Sequence, residues 1–223
     1  MKIFLFNKME NYSQIQEVFN KHVKNYDEWY EKNKYIYLSE VEALKKAIPQ
    51  GKKGLEIGVG SGRFAAVLGI EYGIDPSKEM LKIAKKRGIK TFLGYGEKLP
   101  FNDEEFDFVA IIITICFVRN PEEVIKEAKR VLKNGGKLII GIIDKNSPLG
   151  QFYLDKKKQG HLFYKYANFY SVDEIVKMLE KYDFGNFKFY QTIFKPIEEI
   201  KEVEMPKEGY GEGSFVIISA ERL

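Results

Sequence analysis

Cysteine is almost missing from this chain: Cys116 is the only one in 223 residues. A single thiol excludes an internal disulfide and a Cys-rich zinc site. Histidine is nearly as scarce, with His22 and His161 alone, which argues against a metal centre. Charge of one sign is missing too. The 36 basic residues face 32 acidic ones, and a net charge of +4 is too small to suggest a nucleic-acid surface. No apolar run reaches the ~18 residues of a membrane span; the longest nearly apolar one is 108–118. The opening "MKIFLFNK" has too few apolar residues in a row for the core of a secretion signal. A cytoplasmic protein with no membrane contact is expected. No internal repeat or low-complexity tract is present.

What remains is an ordinary globular composition, 44% hydrophobic and 30% charged. The length suits one domain spanning 1–223. Strands and helices alternate through its middle. "GLEIG" (54–58) reads as a strand, 63–68 as a brief helix, and "EYGID" (71–75) as a second strand. Pro76 starts and Gly88 stops a helix over 76–88. A short strand over 90–94 follows. "FDFVAIIITI" (106–115) is continuously apolar, as strands buried on both faces are. "NPEEVIKEAKRVLKNGG" (120–136) is a helix capped by Asn120 and ended by glycines, and "KLIIGII" (137–143) is another buried strand. This alternation predicts an α/β fold around a doubly wound parallel sheet, which binds ligands at the carboxyl ends of its strands.

Two regions flank that core of 51–143. Residues 1–50 read as an aromatic-rich helical cap. Residues 144–186 read as a lid, irregular to about 168 and then a helix over 171–182 with a Ser171/Glu174 capping box. A closing hairpin is expected within 187–223, with strands at 187–194 and 214–221.

The most informative stretch is "LEIGVGSGRF" (55–64). Gly58, Gly60 and Gly62 alternate between a strand and a helix, and Glu56 precedes them. A dinucleotide loop needs Gly or Ala where Arg63 stands, and Glu56 would repel a pyrophosphate. A ligand with positive charge and no phosphate fits better. S-adenosylmethionine (SAM) is one, with its ammonium, sulfonium and ribose diol. Asp75, at the end of the second strand, suits a bidentate contact to that diol. It also suits capping of the helix that follows.

"LEIGVGSGRF", "GIDPSKEML", "GYGEKLPFNDEEFDFV" and "VIKEAKRVLKNGGKLII" together resemble class I SAM-dependent methyltransferases, most closely the ubiquinone/menaquinone-biosynthesis type. The resemblance covers roughly residues 20–195. It implies a Rossmann-like seven-stranded sheet of order 3-2-1-4-5-7-6 with the seventh strand antiparallel. It also implies SAM as cofactor and transfer of a methyl group to a small-molecule acceptor. Carried over by position, Glu56 lies near the methionine ammonium, and Gly58 and Gly60 lie under the methionine and ribose. Asp75 takes the ribose. Gly96 and Glu97 fall in the adenine-binding stretch, Met80 by the adenosine, and Thr114 near the sulfonium.

Three positions depart from the family pattern. Glu56 and Asp75 are 19 residues apart, about one helical turn short. Tyr95 stands where relatives often carry an Asp for the adenine amino group. Cys116 and Phe117 replace a histidine after the fourth strand, which favours an acceptor that needs no strong base. Tyr26 and Trp29 resemble the aromatic cap over the SAM site. His161, Tyr164 and Tyr166 are candidates for a base or for walls of the acceptor pocket. Each also reads as ordinary packing or an exposed loop residue. Competing readings are an RNA or protein methyltransferase, a nicotinamide-dependent oxidoreductase on the same sheet, and a non-catalytic SAM-binding regulator. The pattern leaves the acceptor and the oligomeric state open.

Overall fold

The apolar stretch within 106–115, unbroken from Phe108 to Ile113, supplies a central strand of the sheet. The computed structural model describes residues 14–223; "MKIFLFNK" and the start of the expected cap lie outside the described residues. Residues 14–21 are helical, followed by α1 (Val23–Lys32) and α2 (Lys34–Ala47). Then come β1 (Gly54–Ile57), α3 (Arg63–Leu68), β2 (Tyr72–Asp75), α4 (Lys78–Lys86) and β3 (Lys90–Leu93). β4 (Phe106–Ile112), α5 (Pro121–Val131) and β5 (Leu132–Ile143) complete the alternation. The chain closes with α6 (Pro148–Lys158), α7 (Val172–Glu180), β6 (Phe184–Thr192), β7 (Lys207–Glu208) and β8 (Phe215–Arg222).

The strands form one sheet in the order β3-β2-β1-β4-β5-β8-β6-β7. The five from β3 to β5 are parallel. β8 runs antiparallel between β5 and β6, so it fills the seventh slot of the expected order. The sheet has eight strands rather than seven. The added one is β7, two residues that pair with the outer edge of β6. It is too short to carry a period that a sequence could reveal.

Alternation along the strands divides the core between the two faces of the sheet. Phe108, Ala110 and Ile112 of β4 join α2, α3 and α4 through Leu44, Phe64 and Ala84. Val109 and Ile111 face the other way, onto Val124 and Ala128 of α5 and Ile175 of α7. Each large aliphatic side chain so buried contributes ~1.5–3 kcal/mol. A one-residue slip would exchange both sets at once, so the register is fixed.

Several ends differ from expectation. α4 begins after Ser77, whose Oγ accepts the Met80 N–H at 3.2 Å; Pro76 therefore lies outside the helix. α5 ends at Val131 and β5 begins at Leu132, because the chain pairs with Phe106 before its register shifts and Gly135 takes φ +72°. The region expected to be irregular contains α6. Ser147 caps it by accepting the Gly150 N–H at 3.1 Å, and Pro148 occupies its first turn. Only Leu149, Gly150 and Tyr153 of α6 are buried, so its apolar period is faint. The Ser171/Glu174 capping box forms as read. No helix among the described residues is long and apolar enough to cross a membrane.

Candidate active site

β1 and β2 end side by side, and the glycine loop turns over them. The Gly58 and Val59 N–H groups both donate to the Ile74 carbonyl, at 2.8 and 3.1 Å. Gly60 N–H donates to Asp75 Oδ2 at 2.9 Å, and Ser77 N–H to Asp75 Oδ1 at 2.8 Å. Each carboxylate oxygen keeps acceptor capacity for a further partner. Burial pushes the Asp75 carboxyl up to about 6, against the pull of those two N–H groups. Gly58 and Gly60 adopt φ of +73° and +51°, the left-handed region that favours glycine. A short α3, six residues long, accounts for the compressed spacing between Glu56 and Asp75.

Glu56 lies beneath the loop, 2% exposed. Its carboxyl is held well above the usual range by burial. The Ala65 N–H hydrogen bond opposes that shift, and the nearby Asp75 charge adds to it. Its Oε2 has no hydrogen-bond partner among the described residues. Thr114 follows β4, next to Ile113, which is held at φ +50°. That is a strained backbone for a β-branched residue, of the kind found at functional sites. Thr114 Oγ1 lies 3.0 Å from the Ile112 carbonyl and 3.3 Å from that of Gly58.

A cavity of about 230 Å³ opens over these strand ends. Its floor includes Gly58, Gly60, Asp75, Met80, Gly96 and Thr114. Tyr26, Trp29 and Glu40 of the cap form its roof, with Tyr153 and Tyr164 of the lid. Of the sequence-derived candidates, Glu56, Glu97, His161 and Tyr166 do not line it. Glu97 Oε1 instead accepts the Arg119 and Asn120 N–H groups at 2.9 and 3.2 Å. His161 stacks on Tyr164 at 4.6 Å and lines an adjoining groove with Phe152 and Pro196, divided from the cavity by Trp29, Tyr153 and Tyr164, which line both. Tyr166 bonds Gln14. Tyr95 is 41% exposed and its hydroxyl donates to Gln16 Oε1 at 3.0 Å. Cys116 lines the cavity, but burial pushes its thiol up to about 12, so it stays protonated.

Three residues were not anticipated. Asp27 of α1 accepts from Ser61 Oγ and from the guanidinium groups of Arg63 and Arg87, at 2.7–3.0 Å. Arg63 also pairs with Glu31 at 2.7 Å. The residue that departs from a dinucleotide loop thus clamps the cap onto the glycine turn. Glu40 of α2 is 2% exposed, and burial alone pushes its carboxyl up to about 8. A signal for it was present: Ile36, Glu40, Ala43, Leu44 and Ala47 form the buried stripe of α2, and Glu40 is the acid on that stripe. Asp27 and Arg87 carry no such signal, because their pairing joins residues 60 positions apart.

Residues 55–140 match a family described as a methyltransferase domain. An uncharacterized protein of Methanocaldococcus jannaschii is 57% identical over 92% of this chain and 99% of its own length. The mitochondrial 2-methoxy-6-polyprenyl-1,4-benzoquinol methylase of Bos taurus is 30% identical, over 67% of this chain and 44% of that enzyme. Among solved structures, a Thermotoga maritima SAM-dependent methyltransferase, described as a possible histamine N-methyltransferase, superposes with a TM-score of 0.90. The two are 45% identical, over 94% of this chain and all of that one.

Proposed function

This chain belongs to the SAM-dependent methyltransferases, and from that premise we propose that it methylates a small molecule in the cavity above the glycine loop. The carrying observation is the roof. Aromatic side chains of the cap and lid enclose the space over Asp75, Gly58 and Thr114, which suits a compact acceptor in a dry site.

The residues fit the methyl donor. Asp75 retains acceptor capacity for the ribose hydroxyls. Gly58 and Gly60 offer close backbone approach beneath the ribose and methionine. Glu56, buried beneath the loop and outside the cavity lining, stands toward the ammonium as a nearby acid rather than a direct contact. Met80 and Gly96 suit the adenosine, and Thr114 the neighbourhood of the sulfonium. Bound there, SAM supplies an electrophilic methyl group on a good leaving group. The protein's own task is to align the acceptor and exclude water. Glu97 supports the adenine side through the backbone of residues 119–120 rather than by contact. Tyr26, Trp29 and Tyr164 wall the acceptor space, with His161 and Tyr166 outside it. The balanced charge favours this reading over an RNA acceptor. A cytoplasmic location accords with it.

Calorimetric titration with SAM, S-adenosylhomocysteine and NAD tests the first half; micromolar binding of the two adenosyl ligands and none of NAD is expected. Radiolabelled methyl transfer tests the second, with small amines, thiols and phenols, histamine among them, beside RNA and protein. Label in RNA or protein alone would overturn the small-molecule reading.

A further inference from the structure

Glu40 is a buried acid with nothing in the fold to justify its charge. It lines the roof of the cavity, is 2% exposed, and its Oε2 has no hydrogen-bond partner among the described residues. The groups that sense it are hydroxyls: Tyr26 and Tyr30 of α1, Tyr37 of α2, Tyr153 of α6 and Tyr164 of the lid turn. Two other acids act on the same hydroxyls: Glu56 on Tyr26, Tyr30 and Tyr37, and Asp75, on the floor of the cavity, on Tyr26. No Lys, Arg or His among the described residues offsets the burial of Glu40.

Burying a carboxylate without a partner is costly, and a hydrophobic residue of similar size would remove that cost. A carboxyl kept there, facing a cavity, is suited to a cation that arrives with a ligand. Its surroundings suit one as well. The rings of Tyr26 and Tyr30 meet edge to face at 5.4 Å, those of Trp29 and Tyr30 at 5.2 Å, and Tyr153 packs on Tyr164 at 4.4 Å. Aromatic walls around an acid form the chemistry that recognises an organic ammonium.

We propose that the methyl acceptor is a small primary or secondary amine, and that Glu40 binds its ammonium and takes its proton. This rests on the small-molecule reading above. In the step assigned to Glu40, one N–H bond of the ammonium breaks. Its electron pair remains on nitrogen as the lone pair, and the proton passes to a Glu40 carboxylate oxygen. The neutral amine so formed is the nucleophile. A carboxyl that titrates near neutrality, as burial makes this one, is matched to such an exchange.

Matched ligand pairs test the proposal. Protein saturated with S-adenosylhomocysteine is titrated with phenethylamine and 2-phenylethanol, and with tyramine and 4-ethylphenol. Each amine should bind at least tenfold tighter than its uncharged partner. Its affinity should rise between pH 6.5 and 8.5 as Glu40 ionises. Glu40→Gln should abolish both the preference and the pH dependence, while the affinity for S-adenosylhomocysteine stays within about twofold. Amines that bind no better than their partners would overturn the proposal, as would a Glu40→Gln protein that keeps the preference. If that variant does not fold, the wild-type preference and its pH limb decide. Methylation of phenols or thiols but never amines would sink Glu40's role and leave the small-molecule reading standing. Label in RNA or protein alone would remove both.

Discussion

Thr114 occupies the space that a side chain on Gly58 would need: a Cβ there would lie 2.2 Å from Thr114 Cγ2. The first loop glycine and the residue after β4 are therefore fitted to each other, although 56 positions separate them. The loop can lie flat on the strand ends only while Gly58 has no side chain.

Gly58→Ala should accordingly destabilise the protein by about 2–4 kcal/mol, combining left-handed strain with overpacking. Affinity for SAM should fall at least tenfold, because Thr114 and the loop must separate. Urea unfolding and calorimetry measure the two effects. A loss below about 0.5 kcal/mol, the range of an ordinary surface change, would show that the loop is not packed as described.

Asp75 should make SAM binding pH-dependent. Its carboxyl is raised from 3.8 to about 6 in the folded chain. The folded state then holds a proton that the unfolded state has lost, so its contribution to stability declines as pH rises from about 4 to 6. Binding has the opposite sign: ribose hydroxyls donate to the ionised form, so affinity should increase from pH 5 to 7 and then level off. Asp75→Asn should bind SAM at least tenfold more weakly and lose this dependence. Asn is the better probe than Ala, since it retains an acceptor for one of the Gly60 and Ser77 N–H groups.

Asp27→Ala should loosen the cap. Burial works against the Asp27 charge, but hydrogen bonds from Arg63, Arg87 and Ser61 outweigh it and hold the carboxyl well below the usual range. With a depressed pKa, the stabilisation is present above the unfolded value of about 3.8 and is lost as pH falls below it. Removing one partner of a buried charge pair costs ~3–5 kcal/mol. Asp27 is 21% exposed, so about 2 kcal/mol is expected. The variant should lose part of its acid-unfolding limb and bind S-adenosylhomocysteine more weakly. Unchanged binding would mean that the cap does not cover the site.

The glycine turn, Asp75 and the central strands were legible because each rests on local pattern. An unbroken apolar run can become a strand only if both faces are covered, and a glycine before a helix signals a backbone that side chains disfavour. The two-residue β7 was not legible, since pairing with β6 rather than its own composition makes it a strand. Helix α6 was missed because its buried side is narrow; Ser147 and Pro148 were the available marks of its start.

The sequence by itself determined the alternation of strands and helices in the core, the burial of its central strands on both faces and the loop that opens the site, because periodicity and capping act over a few residues. Tertiary structure decided the rest. It drew Asp27 onto Arg63 and Arg87, sent Glu97 to the backbone of α5's start, left His161 outside, and turned Glu40 into an aromatic-walled cavity. Such outcomes depend on which distant groups share a desolvated space, and a carboxyl's charge state follows from that space rather than from its neighbours in the chain.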